Sequence, residues 1–307
     1  MKVIPIVFAF DDNMEMPAGV CMTSLLVNAD SDTYYDIFIL HDDGLTIKDS
    51  RISLLQSRYP NCRVQFRCVG DYFNNAYEIR GITRTAYFRL LAPSLIPEYD
   101  KLIYCDVDMI FRRDLFYVFE IDLDNYLLGG VSSDVLSDGK KRPVVNHLGI
   151  KPSSYINSGA LLMNLQLMRK EDVVKKFLEH ENKKYPFQDQ DIINIVCKDR
   201  IKILPIAFNY TTYLQDSVYL LYNKTTKLDD SIEMAREEGT IHYNGVKPWK
   251  GSCPNMDIWW EYYRKSIFFD EKFTHDFWIK QRDALMWMPL MKRIKQLLRY
   301  PLDLIIR

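Results

Sequence analysis

The chain has 307 residues, and 48% of them are hydrophobic, enough for one large domain or two modest ones with a sizeable core. Lys and Arg number 40 against 41 Asp and Glu, a net charge of −1, so no global basic field points to nucleic acid as a partner. The six cysteines, Cys21, Cys62, Cys68, Cys105, Cys197 and Cys253, have neither zinc-ribbon nor redox spacing, which predicts reduced thiols in a cytoplasmic protein.

The opening MKVIPIVFAF is a short apolar run ending in Asp11-Asp12-Asn13. With no small-residue cleavage site, it reads as a first buried strand over Val3–Phe10 rather than a signal peptide. Residues 15–29 have helical spacing. Tyr35–Leu40 is a second strand, ending in His41-Asp42-Asp43-Gly44. Residues 46–59 read as a helix with Ile47, Leu54 and Leu55 inward, and Val64–Val69 as a third strand. This alternation predicts an α/β domain with a largely parallel sheet. Residues 82–92 are helical and lead to Pro93 and Pro97.

Leu102-Ile103-Tyr104-Cys105 then reads as a buried strand that delivers Asp106 and Asp108. Carboxylates where a buried strand ends are costly unless paired. A divalent cation is a natural partner, because hard cations take oxygen ligands and share them with substrate phosphates. Taken alone, Asp-Val-Asp is also an ordinary polar strand end.

Tyr126–Val131 is a further strand, and Ser132–Lys151, with Gly139, Pro143 and Gly149, is a loop. Ile156-Asn157-Ser158-Gly159 opens a strand through Ala160–Leu165. An amphipathic helix over 166–182 follows. Pro186-Phe187-Gln188-Asp189-Gln190-Asp191 precedes a helix carrying Ile192, Ile193 and Val196. Ile201–Leu204 is a short strand, 205–230 is irregular and tyrosine-rich, and Thr240–Tyr243 is a late strand before Gly245, Lys247, Pro248 and Trp249. The sequons Asn209-Tyr-Thr and Asn223-Lys-Thr carry no meaning in a cytoplasmic chain.

Polar groups thus recur at predicted strand ends, where open α/β sheets bind ligands. Each has a plain structural alternative: a capped turn at Asp11, a bulge at Asn157, a hydrogen-bonded His242, and acids favoured by the helix dipole at Asp189 and Asp191.

Taken in order, six segments resemble glycosyltransferase family 8, the retaining GT-A-fold family that contains glycogenin and bacterial lipopolysaccharide galactosyl- and glucosyltransferases. They are Phe8–Asn13, Thr85–Leu90, Leu102–Asp108, Tyr155–Leu165, Gln188–Asp191 and His242–Trp249. As an ordered set they are far more specific than any one motif.

The resemblance implies a Rossmann-like mixed, largely parallel sheet flanked by helices. It implies a catalytic domain over 1–265, with a nucleotide-sugar half of about 1–110 and an acceptor half of about 111–265, and a helical tail over 266–307. Asp106, Asp108 and His242 would hold Mn2+, with Mg2+ as the alternative. One imidazole and two carboxylates suit such a cation. The donor would be UDP-galactose or UDP-glucose. Asp11 and Asn13 would meet uridine and ribose; Arg89, Asp106 and Asn157 would approach the sugar; Gly245 and Lys247 would close over the diphosphate. Asp189 would bind sugar hydroxyls and Gln190 would lie near the anomeric carbon. An amide oxygen carries no full charge, which favours front-face attack over a covalent intermediate on Gln190.

A histidine of some relatives is absent where Arg80-Gly81-Ile82 stands, so a phosphate contact is either lost or replaced by Arg84. An acceptor-facing acid aligns with either Ser133 or Asp134. The acceptor would be an oligosaccharide or lipid-linked glycan in surface-polysaccharide synthesis. Two other readings remain at this stage: an aspartyl-phosphate-type phosphohydrolase built on Asp106, and a non-catalytic nucleotide-sugar or glycan binder.

In the tail, Pro289 can open a helix. Leu290, Met291, Ile294, Leu297 and Leu298 then share one face, with Lys292, Arg293, Lys295 and Arg299 around it and Trp287 and Tyr300 nearby. This pattern predicts attachment to an anionic membrane surface, hence a peripheral position on the inner face of the cytoplasmic membrane. The alternative is a helix packed on the catalytic domain.

Overall fold

The structure, a computed structural model, describes residues 1–42, 51–79, 83–133, 148–212, 214–215 and 230–294. Alternating side chains of the central strands feed two different cores. In β1 (Lys2–Ala9), Ile4, Ile6 and Phe8 face one core and Val7 the other. In β2 (Thr33–His41) the split is Tyr35, Ile37 and Ile39 against Phe38 and Leu40. In β4 (Lys101–Cys105) it is Ile103 and Cys105 against Leu102 and Tyr104. A sheet buried on both faces produces continuous apolar runs rather than alternation, which is why these strands are legible.

The other strands are β3 (Cys62–Cys68), β5 (Met109–Ile110), β6 (Leu128–Ser132), β7 (Ile156–Asn164), β8 (Ile201–Ile203), β9 (Tyr210–Thr211) and β10 (Ile241–His242). Seven of the ten form one sheet in the order β3-β2-β1-β4-β7-β6-β8. The β1–β2, β2–β3, β1–β4 and β6–β8 pairs are parallel; β7 is antiparallel to β4 and β6. The strand order turns back between β1 and β4, so the loops after both strands open at a topological switch point. Asp11–Asn13 follow one of these strands and Asp106–Asp108 the other.

A second, three-stranded sheet orders β5-β10-β9. It lies next to the end of β4 in sequence, and it carries His242 and Asn209 to that end.

The structure differs from expectation in several elements. The part of 46–59 within the described residues is a 3₁₀ turn, Arg51–Leu54, running into a short helix, Leu55–Arg58. Ile52 and Leu55 are buried but Leu54 is exposed, because the tighter 3₁₀ turn changes the register of the inward face. Residues 84–91 are 3₁₀ rather than α-helical. The helix expected over 166–182 is two, Leu165–Lys170 and Val173–Leu178, interrupted where Asp172 takes a left-handed φ of 53°. Glu15–Val27 is a helix as expected, and the helix expected after Asp191 already begins at Gln188.

At the C-terminal end, helix Met256–Lys265 buries Trp259, Trp260, Tyr262 and Tyr263. Helix Glu271–Met286 lies on it through Phe273, Phe277 and Trp278, whose ring centroids are 5.9, 4.6 and 5.5 Å from that of Trp260. The first part of the tail therefore packs on the domain. Beyond it Trp287, Leu290 and Met291 are exposed, while Leu297, Leu298, Lys295, Arg299 and Tyr300 lie outside the described residues. No helix among the described residues is long and apolar enough to cross a membrane.

Candidate active site

Three carboxylate and imidazole groups converge where β4 ends. The Asp106 backbone N–H donates to the Gly159 carbonyl at 2.7 Å, continuing the β4–β7 ladder past Cys105. Antiparallel pairing of His242 with Met109, and a bond from the Tyr243 N–H to the Asp108 carbonyl at 2.9 Å, bring β10 against the acidic tripeptide. His242 Nε2 lies 3.2 Å from Asp108 Oδ1 and 3.8 Å from Asp106 Oδ2. One ligand atom from each residue falls within 4.8 Å of the others.

Gly159 closes the back of this cluster. A Cβ there would stand 2.3 Å from His242 Cε1 and 2.7 Å from Asp106 Oδ2, so the cradle exists only because position 159 has no side chain. Two carboxylates and an imidazole around such a space match the donor set of a divalent cation. The set fits the cation that the sequence implied.

Burial pushes the Asp108 carboxyl up, but the Lys247 ammonium and His242 outweigh it and hold the carboxyl well below the usual carboxylate range. Lys247 Nζ donates to Asp108 Oδ2 and, at 2.7 Å, to the Tyr243 carbonyl.

On the side toward β7, buried Arg89 holds two carboxylates apart. Its guanidinium donates to Asp106 Oδ1 at 2.8 Å and to the Ser158 and Ala86 carbonyls at 2.6 and 2.8 Å, and lies 3.2 Å from Asp189 Oδ2. It stacks 4.4 Å over the Tyr104 ring, whose hydroxyl also donates to Asp106 Oδ1. Burial opposes the charge on Arg89, yet Asp106 and Asp189 more than restore it. Burial pushes Asp189 up to about 6; Arg89 pulls against this, and Asp106 adds to it. The Ser158 hydroxyl donates to Asp189 at 2.9 Å.

Gln190 is held at both ends of its amide. Oε1 accepts from Asn157 Nδ2 at 2.9 Å and from the Ser158 N–H at 3.2 Å; Nε2 donates to Tyr155 Oη at 3.0 Å. The structure thus gathers Arg89, Asp106, Asp108, Asn157, Asp189, Gln190, His242 and Lys247 into one connected cluster. Asp11 and Asn13 sit at the neighbouring strand end, where Asp11 accepts from the Asn13 N–H and caps a 3₁₀ turn. Gly245 lies exposed in the loop between His242 and Lys247.

Arg84 donates to the carbonyls of Gly70 and Tyr72. Asp134 and Arg80-Gly81-Ile82 lie outside the described residues. Sequence reading missed Tyr104, Tyr155, Ser158 and Asn209 as members of the cluster. Tyr104, Tyr155 and Ser158 lie inside segments that carry the family resemblance, whereas Asn209 left a mark only as a sequon, and it is fully buried.

This sheet order, with an acidic pair and a histidine at its switch point, is that of the GT-A architecture. The model of the family described as Glycosyl transferase family 8 matches residues 5–253, and the chain belongs to that family. It is 27% identical over 233 residues to glycosyltransferase GlyB of Streptococcus pneumoniae, covering 73% of this chain and 54% of that one. It is 24% identical over 309 residues to the lipopolysaccharide 1,2-glucosyltransferase of Escherichia coli, covering 95% and 85%. The chain spans about half the length of the first curated relatives it matches. The crystal structure of galactosyltransferase LgtC with donor and acceptor sugar analogs superposes with a TM-score of 0.72 at 24% identity, covering 89% of this chain and 99% of that one. At that identity the likeness speaks for the fold alone. Family membership favours glycosyl transfer over the phosphohydrolase and non-catalytic readings.

Proposed function

We propose that the chain is a retaining hexosyltransferase that moves galactose or glucose from UDP to a glycan or lipid-linked saccharide, with Mn2+ held by Asp106, Asp108 and His242. The observation that carries this reading is the convergence of those three side chains around a cradle that a Cβ at Gly159 would fill. A cation bound there supplies positive charge to a departing diphosphate.

The chain's own groups do the rest. Lys247, already drawn to the acidic pair, adds a second positive charge on the phosphate side, with Gly245 letting the loop approach. Asp11 and Asn13 bind uridine and ribose. Asp189 accepts from sugar hydroxyls and Asn157 lines the sugar. Arg89, with its donors engaged by Asp106, Asp189 and two carbonyls, acts on the sugar by fixing those carboxylates.

Gln190 faces the anomeric carbon and stabilises its positive character. Its oxygen already accepts two hydrogen bonds, which lowers its nucleophilicity further. The acceptor therefore attacks from the leaving-group face and loses its proton to the departing phosphate. A covalent sugar trapped on Gln190 or Asp189 during turnover would contradict this route.

We take 1–265 as the catalytic unit. Residues 266–307 form a tail that meets an anionic membrane surface through its part beyond Met286, where Trp287, Leu290 and Met291 are exposed, which suits a lipid-linked acceptor. The likeness to a lipopolysaccharide glucosyltransferase supports surface polysaccharide as the product class. A donor screen with UDP-galactose and UDP-glucose, reading UDP release and the glycosylated product by mass spectrometry, tests the whole reading. Turnover that requires no divalent cation, or hydrolysis of generic phosphate esters, would overturn it.

A further inference from the structure

Backbone donors fix the orientation of the amides beside the candidate cation site. The Gly159 N–H donates to Asn157 Oδ1 at 3.0 Å, and the Ser158 N–H donates to Gln190 Oε1 at 3.2 Å. A backbone N–H can only donate, so both atoms must be oxygens. Asn157 therefore turns its NH2 toward Gln190 Oε1, at 2.9 Å. Its oxygen receives a second bond, from Asn209 Nδ2 at 2.8 Å. That arrangement leaves Asn209 Oδ1 facing His242 Nδ1, at 2.9 Å.

An amide oxygen accepts and cannot donate, so His242 carries a proton on Nδ1. In the neutral ring Nε2 is then a lone pair. Nε2 is the nitrogen that faces Asp108 and Asp106. A lone pair aimed at two carboxylates is unfavourable unless a bound cation, or a proton on Nε2, lies between them.

The chain of bonds continues in the same direction at its other end. Gln190 Nε2 donates to Tyr155 Oη at 3.0 Å, and the Tyr155 hydroxyl donates to Asp191 Oδ1 at 2.6 Å. Asp191 Oδ2 is anchored by the Phe187 N–H at 2.8 Å. Burial, reinforced by Asp191, keeps the Tyr155 hydroxyl protonated and so a donor. Every link from the imidazole to the carboxylate of Asp191 thus points one way.

We propose that Asn209 is a positioning residue that sets the His242 tautomer for cation binding and ties that choice to the orientation of the Gln190 amide. The proposal rests on the reading of Asp106, Asp108 and His242 as cation ligands. Asn209 is fully buried and immediately precedes β9, which pairs with β10 so that Thr211 lies opposite His242. The strand pairing therefore holds Asn209 in reach. Outer partners of this kind typically change metal affinity by about 10–100-fold when removed.

Two substitutions separate the links. Asn209→Ala removes both. Asn209→Asp keeps an acceptor for His242 Nδ1–H but sets an oxygen against Asn157 Oδ1. Binding of Mn2+ alone to the full chain is measured by calorimetry. The His242 tautomer is read from long-range proton–nitrogen spectra of the histidine-labelled chain with Mg2+. With five histidines, His242→Gln assigns the signal.

Wild type is expected to carry the Nδ1 proton. Asn209→Ala is expected to lose about 10–100-fold in Mn2+ affinity and to mix tautomers. Asn209→Asp is expected to keep both the affinity and the tautomer but to lose UDP release from UDP-galactose or UDP-glucose. An Nε2 proton in wild type, unchanged Mn2+ affinity in Asn209→Ala, or full turnover in Asn209→Asp each overturns the proposal. Thermal melts check that the variants fold; should Asn209→Ala not fold, the wild-type tautomer and the Asn209→Asp turnover decide. Failure of the cation reading itself has a different signature, namely Mn2+ affinity undiminished in Asp108→Ala.

Discussion

Asp189 is pulled in two directions: burial and the nearby Asp106 favour its neutral form, and Arg89 favours its charge. The balance raises it from near 4 to about 6, a displacement worth about 3 kcal/mol. Because the folded value lies above the unfolded one, this contribution is present below pH 4 and is lost as pH rises through 6. Asp189→Asn is therefore expected to gain stability relative to wild type between pH 4 and 7, by up to about 3 kcal/mol. Urea denaturation at several pH values measures it; a pH-independent difference would show that Asp189 titrates normally. Gly159 makes a second test at this scale. Its α-carbon is the wall of the candidate cation cradle, so Gly159→Ala is expected to weaken Mn2+ binding at least tenfold without unfolding the chain. Wild-type affinity in that variant would mean the cradle does not hold the ion. Neither effect was legible in the sequence, where Gly159 looked like a turn or bulge residue and Asp189 like a helix-start acid.

Helix Glu15–Val27 docks on the C-terminal part of the fold through a close approach: a Cβ at Gly19 would lie 2.0 Å from the Phe268 ring. Gly19→Ala is expected to destabilise by about 1–3 kcal/mol, the usual range for overpacking, and Phe268→Ala by about 3–5 kcal/mol. The double variant should cost less than the two added together, since the ring that clashes is gone. Strict additivity in chemical denaturation would rule out the contact as the cause. Element positions were legible where physics writes them into composition. Strands buried on two faces become apolar runs, and polar residues mark their ends, Asp106 just after β4 and Asn157 at the start of β7. Elements set by local backbone choices were not legible. Asp172 breaks a helix that periodicity runs together, and the 3₁₀ turn before Leu55 puts Leu54 outside. The short pairings of β5 and β9 are below what any periodic signal can carry, while β10 falls within the strand read over Thr240–Tyr243; together they bring His242 and Asn209 to the acidic pair. The strand-end position marked His242 and the family resemblance gave it a role; nothing in the chain's pattern placed Asn209 beside it.

For the whole molecule, the candidate cation site joins segments 134 residues apart, Asp108 to His242, so an ion bound there would also brace the fold. Saturating Mn2+ at about a hundred times its dissociation constant is expected to add about 2.7 kcal/mol of stability, raising the melting temperature of wild type but not of Asp108→Ala. The tail makes a separate prediction. Because Phe277 packs on Trp260, a chain ending at Met286 keeps the helical dock and removes only residues 287–307. The full chain is expected to co-sediment with anionic vesicles and the shortened one to do so poorly; equal binding would remove the membrane role. The proposed clamp of Asp106, Asp108 and His242 on a cation for a nucleotide's phosphates is open to titration calorimetry of UDP with Mn2+, on wild type and on an Asp108→Ala variant whose fold is verified by its melt. Tight Mn2+-dependent UDP binding is expected in wild type and none in Asp108→Ala; undiminished affinity in the variant would mean that these three side chains do not hold the ion.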